Sequence, residues 1–219
     1  MRVIILAAGQ GYQLDGFNKL LIHDPVSNMK LIDKFSNAFS GMEITIVVGY
    51  RAINVMHKYP DYHYVYNPEW AASNNSYSLS LAINEEPCYV ISGDLLIEPD
   101  LVEMLENAGP NLVVTQMRDN RTPSALNVLT DKQQNIQELY QGKLHNLTDP
   151  EAIGIYKISS PGLLLKWKRN CRKYSNLFIG QNLPFNESEP VRTLDVDEKR
   201  LDEINTPMDY LRLLEKAKK

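Results

Sequence analysis

The run Leu6-Ala7-Ala8-Gly9-Gln10-Gly11 ends an apolar stretch and is followed by Tyr12-Gln13-Leu14 and then Asn18-Lys19-Leu20-Leu21. Glycines just past a buried strand let the backbone approach a ligand closely and turn its N–H groups toward phosphate oxygens. Lys19, eight residues beyond Gly11, can fold back to meet negative charge that accumulates in phosphoryl chemistry. The pattern has neither the Gly-Lys-Ser/Thr of a P-loop nor the GxGxxG of a dinucleotide fold, and Gly9-Gln10-Gly11 alone reads equally as a plain turn. Further on, Ser92-Gly93-Asp94 closes a second apolar run. A carboxylate at the C-terminal end of a sheet strand can hold a divalent cation at the ligand edge, or simply cap the next segment.

For these residues to meet, the intervening elements must deliver their loops to one side. Residues 2–8 read as a strand buried on both faces. Leu31, Ile32, Phe35, Ala38 and Phe39 recur at helical spacing and predict a helix over 30–39. The β-branched run 44–48 predicts a strand ending at Gly49, 51–58 a short helix, and 62–66 a strand stopped by Asn67-Pro68. A helix at 76–83, a strand at 88–92 and a helix at 99–107 continue the alternation. This rhythm predicts an α/β fold with a doubly wound, mostly parallel sheet. Right-handed crossovers then gather the loops after Ala8, Gly49, Asn67 and Ser92 on one rim.

Beyond residue 110 the pattern loosens. Strands are predicted at 111–117, 126–129, 153–158 and 191–196, and helices at 161–174 and 206–218. The Asn-, Gly- and Pro-rich stretch 176–190 reads as a functional loop or lid, or else a surface connection. No repeat, low-complexity tract or linker divides the chain, so one domain over 1–219 is expected.

Composition narrows the function classes. With 43% hydrophobic and 23% charged residues the chain is that of a folded globular protein, and its net charge of −4 provides no basic field for nucleic acid. Cys88 and Cys171 have no metal-binding or redox spacing, and Cys88 reads as a small buried hydrophobe. No stretch has the length of a membrane span and the N-terminal apolar run is too short for a signal segment, so a cytoplasmic protein is expected. His23, His57, His63 and His145 are scattered, and no Gly-x-Ser-x-Gly elbow supports a hydrolase.

Leu6-Ala7-Ala8-Gly9-x-Gly11 with Lys19 resembles the signature of the nucleotidyltransferases that activate sugar phosphates and related metabolites. It is most similar to those using CTP and a non-sugar substrate, the phosphocholine and phosphonate cytidylyltransferases. Val48-Gly49-Tyr50, Asn74-Asn75-Ser76-Tyr77-Ser78-Leu79 and Ser92-Gly93-Asp94 carry the likeness to about residue 99, and it resumes at Glu203-Ile204-Asn205-Thr206-Pro207.

The resemblance implies a Rossmann-like three-layer αβα domain with a mixed, mostly parallel sheet, of the nucleotide-diphospho-sugar transferase type. Residues 1–110 would be its nucleotide-binding half and 111–219 its acceptor-binding half. It assigns catalytic roles to Lys19 and Asp94, and Mg²⁺ ligation to Asp94 and Asn205. Nucleotide contacts are implied at Leu6, Ala7, Ala8, Gly9, Gln10, Gly11, Gln13, Gly49, Tyr50, Asn74, Asn75, Ser76, Ser78 and Gly93. The amides of the Asn74 segment suit the donor and acceptors on a cytosine edge. Without the resemblance, Asn205 is a helix-start residue, and Trp70 and Tyr77 are core anchors rather than seats for a choline-like cation.

Two positions depart from the family pattern: Gln13 stands where an arginine is usual, and Asn18 where a proline precedes the lysine. Triphosphate binding would then lean on Lys19, on metal, or on Arg2, Arg51 or Arg121. The acidic residues Asp195, Asp197, Glu198, Asp202 and Glu203 read as a solvated turn, with Asp195 or Asp197 available to assist the metal. The expected reaction is transfer of CMP from CTP to a small phosphorylated or phosphonylated acceptor, such as phosphocholine or aminoethylphosphonate. The alternatives are a sugar 1-phosphate nucleotidyltransferase using UTP or dTTP, and a non-catalytic nucleotide-binding protein.

Overall fold

The apolar runs of the N-terminal half fold as strands close to where their patterns put them, in a computed structural model that describes residues 1–185, 188–197 and 200–216. In chain order the first half contains β1 (Arg2–Ala7), α1 (Leu31–Ala38), β2 (Glu43–Val48), α2 (Ala52–Lys58), β3 (His63–Tyr66), α3 (Asn75–Ala82), β4 (Cys88–Ser92), β5 (Leu95–Ile97) and α4 (Pro99–Asn107). The second half adds β6 (Asn111–Gln116), β7 (Asn127–Thr130), β8 (Ile136–Tyr140), β9 (Glu151–Ile158), α5 (Pro161–Lys173), β10 (Arg192–Asp195), β11 (Leu201–Glu203) and α6 (Pro207–Lys216).

One sheet runs through both halves in the order β10-β6-β9-β4-β1-β2-β3. Every neighbouring pair along it is parallel except the two made by β9, which runs against β4 and β6. The C-terminal ends of β1, β2, β3, β4, β6 and β10 therefore share one rim, which is the expected mostly parallel mixed sheet. β1 is apolar on both faces because both are covered. Val3 and Ile5 pack in a layer with Phe35 of α1 and Leu101 of α4, while Ile4 and Leu6 pack with Leu79 of α3 and Trp167 of α5. The alternation of side chains along one strand thus builds a three-layer αβα sandwich.

Some elements escape sequence patterning. β8 forms a hairpin with β7, and β7 joins the main sheet through a single pairing, Asn127 with Glu151. β5 and β11 make a separate antiparallel ribbon in which Glu203 pairs with Leu95. Of the stretch 176–190, residues 186 and 187 lie outside the described residues, and residues 176–183 are seated against α3 and α5 rather than running free over the surface. The indole Nε1 of Trp167 donates to the carbonyl of Ile179 at 2.8 Å, and the Asn182 amide donates to Ser76 Oγ at 2.8 Å and to the Tyr174 carbonyl at 3.0 Å. Ile179, Asn182 and Leu183 are buried, so amide bonding rather than apolar periodicity seats this segment. Glu198, part of the predicted acidic turn, and the chain end at 217–219 lie outside the described residues.

Both cysteines are buried, and burial pushes each thiol up to about 12, so neither is a nucleophile near neutral pH. Among the described residues no helix is long and apolar enough to cross a membrane.

Candidate active site

The loop that follows β1 is curled by its own backbone. Gly11 sits at φ 61°, in the left-handed region, and a β-carbon there would lie 3.2 Å from the Phe17 carbonyl oxygen. The N–H groups of Leu14 and Gly16 both donate to the Gly11 carbonyl, at 2.9 and 3.2 Å. Among the described residues, no protein acceptor takes the N–H groups of Gly9, Gln10 or Gly11. Free backbone donors on a tight glycine turn suit an anion. The loop then closes in a short 3₁₀ turn over Lys19–Leu21, capped by Asn18 Oδ1, which accepts from the Leu20 N–H at 3.1 Å. Buried Leu20 and Leu21 anchor the turn. Asn18, the departure from proline, thus provides a cap a proline could not.

Lys19 leaves that turn across the rim. Its ammonium donates to Asp94 Oδ2 at 2.9 Å and to Asn205 Oδ1 at 2.5 Å. The residues expected to share a cleft therefore touch, although they are separated by up to 186 positions in sequence. Asp94 follows β4, and Asn205 is brought to it by the β5–β11 ribbon, which the Ile204 N–H extends by donating to the Asp94 carbonyl at 2.9 Å. The Asn205 Nδ2 group donates in turn to Glu203 Oε1. Glu203 Oε2 meets Arg118 Nη1 at 3.2 Å, and Arg118 lies 4.0 Å from Glu151. Burial, and after it the Asp94 charge, raises the Glu203 carboxyl above the usual carboxylate range, against the pull of Arg118.

The donor set facing Lys19 is a carboxylate oxygen and an amide oxygen, hard ligands of the kind Mg²⁺ takes, and the ammonium stands as a cation between them. Among the described residues no group of three or more His, Cys, Asp or Glu side chains could hold a metal. An ion here would draw its remaining ligands from water and substrate phosphates, the usual habit of Mg²⁺.

The cleft is walled by Leu6, Ala7, Ala8, Gly9, Gly11, Asn18, Lys19, Asn67, Trp70, Ser73, Asn74, Asn75, Ser78, Ser92, Gly93 and Asp94. The loops after β1, β3 and β4 supply it directly. The loop after β2 supports it from behind, through Gly49 and Tyr50. A β-carbon on Gly49 would lie 2.6 Å from the Ala8 carbonyl oxygen and 2.6 Å from Trp70 Cβ, and the Tyr50 ring meets Trp70 edge-on at 5.0 Å. Gly49→Ala is therefore expected to cost about 1–3 kcal/mol by overpacking and to raise the KM for nucleotide by displacing Trp70. Urea melts and initial rates read both effects, and an unchanged midpoint would contradict the packing argument.

Polar side chains on the cleft floor are partly committed. Buried Asn67 donates to Ser78 Oγ at 2.9 Å and to Ser73 Oγ at 3.3 Å. Asn74 Oδ1 accepts from the N–H of Asn75 at the start of α3, and Asn75 Oδ1 accepts from the N–H of Ile179 at 3.0 Å. Ser76 is fully buried against Asn182, so its place is in the packing of α3 rather than on the cleft wall. Asn18, Asn67, Trp70, Ser73 and Ser92, and not Tyr77, join the expected residues on the cleft wall; the sequence signal for Asn67 and Trp70 was the loop after β3, which the topology delivers to this rim.

Other expected participants lie elsewhere. Gln10 is not on the cleft wall, and Gln13 lines a separate apolar groove with Leu14, Ile204 and Tyr210. Arg2 begins β1, at the opposite edge of the sheet, where it bonds the Ala82 carbonyl and Asn84. Arg51 stacks over Tyr50, 5.1 Å from its ring centroid. Arg121 is held by Asn127 and the Asp149 carbonyl, each at 2.6 Å. Asp195 sits on β10, separated from β4 by β6 and β9, where its Oδ1 accepts from Thr115 Oγ1 at 3.5 Å. Asp202 and Glu203 are partly buried and paired: Asp202 takes Arg212 at 2.6 Å and Lys216 at 2.8 Å, and Glu203 accepts from the Asn205 amide and meets Arg118.

The MobA-like NTP transferase domain family matches residues 3–173. No curated protein matches the chain. Among solved structures, CTP:phosphocholine cytidylyltransferase from Streptococcus pneumoniae superposes with a TM-score of 0.77 at 22% identity, over 98% of this chain and 97% of that one. Inositol-1-phosphate CTP transferase from T. maritima gives 0.69 at 17% identity, over 100% and 96%. A Bacillus anthracis protein described as a glucose-1-phosphate thymidylyltransferase gives 0.74 at 18% identity, over 99% and 95%. At these identities the structural likeness speaks for the fold.

Proposed function

The chain belongs to the MobA-like NTP transferase family, and from that premise we propose that it transfers CMP from CTP to a small phosphorylated or phosphonylated acceptor in a Mg²⁺-dependent reaction. The observation that carries this reading is the Lys19 ammonium lying between Asp94 and Asn205 in a cleft that Gly9 and Gly11 also line. An acceptor phosphate or phosphonate oxygen attacks the α-phosphorus of CTP. A new P–O bond forms, the bond to the β-phosphate oxygen breaks, and pyrophosphate leaves with that electron pair. The nucleophile is already ionised at neutral pH, so no general base is required. The obstacle is the meeting of two polyanions, and the site answers it by positioning and charge.

The N–H groups of Gly9 to Gly11 cradle the triphosphate. Lys19 releases Asp94 and Asn205 and turns its ammonium to the phosphates. Asp94 and Asn205 would hold the Mg²⁺, which when bound would supply positive charge to offset that of the phosphates. The amide N–H₂ groups of Asn74 and Asn75 on the cleft wall favour cytosine, whose pairing edge offers acceptors to them.

The test is pyrophosphate release from each common nucleoside triphosphate against phosphocholine, aminoethylphosphonate, inositol 1-phosphate and sugar 1-phosphates, with and without magnesium. The expected result is turnover with CTP and a non-sugar acceptor, only with magnesium. Turnover with UTP or dTTP and a sugar 1-phosphate would replace this reading with the sugar-activating one. Binding of CTP by calorimetry with no turnover across the panel would mark a non-catalytic protein.

A further inference from the structure

Between Glu151 and Glu187 the sequence has no acidic residue and six basic ones, in a chain whose net charge is −4. One of the six, Lys157, is used inside the fold, where its ammonium donates to the carbonyls of Leu105 and Glu106 at 2.6 and 3.3 Å. The other five, Lys166, Lys168, Arg169, Arg172 and Lys173, all fall on α5. Leu163, Leu164, Trp167 and Cys171 form the buried face of that helix, and the basic residues take its outer side. Lys168 is half-buried and the other four are exposed.

These cations have no carboxylate partners. Lys34, Arg118, Arg200 and Arg212 each end on an acid; among the described residues none of the five on α5 does. Glu189 stands beside Gly162, at the first turn of the helix. Like charges three and four residues apart on a helix repel, as Lys166 with Arg169 and Arg169 with Lys173 do here, so helix stability disfavours the stripe. The helix dipole accounts for Arg172 and Lys173 in the last turn. It does not account for Lys166, Lys168 and Arg169. At the end of the stripe the Lys173 ammonium lies 4.9 Å from the ring centroid of exposed Tyr174. Phe185, also exposed, lies three residues past Asn182, whose carbonyl accepts from the Asn170 amide of α5 at 3.0 Å.

We propose that this face of α5 docks on an anionic lipid bilayer. Cations on a convex helix surface, with aromatic rings at its end, match a plane of phosphate headgroups over an apolar interior. The ammonium and guanidinium groups meet the phosphates and the rings enter the headgroup layer. A nucleic-acid strand is instead tracked by a groove with basic walls. The net negative charge does not prevent contact, because charges more than about 8 Å apart are largely screened at physiological ionic strength. The helix ends beside the cleft: the Ser175 carbonyl accepts from the N–H of Asn74, on the cleft wall, at 2.9 Å. Docking on α5 therefore holds that wall at the bilayer edge.

Co-sedimentation of the full chain with vesicles of phosphatidylcholine and phosphatidylglycerol, beside vesicles of phosphatidylcholine alone, tests this. The chain is expected to bind the mixed vesicles and not the neutral ones, and to release them as salt rises. Each lysine or arginine at an anionic surface contributes about fivefold to partitioning. Arg169→Ala, Arg172→Ala and Lys173→Ala combined should therefore lower it about 100-fold. The fold should survive, since alanine is a strong helix former and these side chains are exposed. Lys58→Ala, Lys132→Ala and Lys143→Ala combined remove the same charge from exposed positions outside α5 and should bind as wild type does. Equal binding to both kinds of vesicle, an α5 variant that binds like wild type, or a control variant that loses as much overturns the proposal. Tighter binding to a mixed-sequence oligonucleotide than to the mixed vesicles at the same salt also overturns it and gives the face to nucleic acid. Should the triple variant not fold, Arg169→Ala alone decides, with an expected loss of about fivefold. None of these readouts needs turnover, so the result stands apart from the proposed reaction.

Discussion

Replacing Lys19 with alanine is expected to lower kcat/KM for CTP by roughly 10²–10³-fold, about 2–4 kcal/mol of lost charge stabilisation at the phosphates. The fold should survive, because the turn is anchored by Leu20 and Leu21 and capped by Asn18, none of which needs the ammonium. The same variant carries a second, opposite signature. In the free protein the ammonium lies on both proposed metal ligands, at 2.9 and 2.5 Å. Removing it leaves Asp94 without its cation, so Mn²⁺ binding by the free protein should tighten while turnover falls. EPR titration beside steady-state rates reads both. Near-wild-type kcat/KM, or weaker Mn²⁺ binding, would contradict the dual role.

Asp94→Asn should be more damaging still, on the order of 10³-fold or more in kcat/KM, since the ion that offsets the charge of two phosphates is worth several kcal/mol. The substitution is nearly isosteric. The contact that ties this position to the β5–β11 ribbon is made by its main-chain carbonyl, which accepts from Ile204. Thermal melting should therefore change little while activity collapses. The required magnesium concentration should also rise, which a purely structural lesion would not produce. Activity that keeps its original magnesium dependence would place the metal elsewhere.

Much of this arrangement is legible in the sequence because buried parallel strands advertise themselves. Val3 to Leu6, Ile44 to Val48 and Cys88 to Ile91 are buried on both faces and, Thr45 apart, apolar there, and the loops that follow them meet at the rim as the topology demands. Lys19 and Asp94 could be paired from that topology alone. Asn205 could not: only the family resemblance singled it out, because the ribbon that delivers it consists of two three-residue strands with no periodicity to read.

Glu203 shows the same blindness. In sequence it lies in an acidic run that looks solvated; in the fold it accepts from the Asn205 amide and pairs with Arg118, 85 residues away. Segment 176–183 misled for another reason: its place is set by amide-to-backbone bonds from Asn182 and by the indole of Trp167, and such bonds leave no hydrophobic pattern. Gln13 illustrates a limit of transfer by resemblance. The position matches, but its side chain lines a neighbouring groove beside Ile204 and Tyr210.

Anomalous diffraction from crystals grown with Mn²⁺ and a non-hydrolysable CTP analogue would test the shared seat most directly. A manganese peak is expected between Asp94 and Asn205, with phosphate oxygens against the N–H groups of Gly9 to Gly11 and the Lys19 ammonium moved from the carboxylate to the phosphates. A manganese peak away from these two side chains, or a nucleotide bound with Lys19 still locked on Asp94, would contradict it.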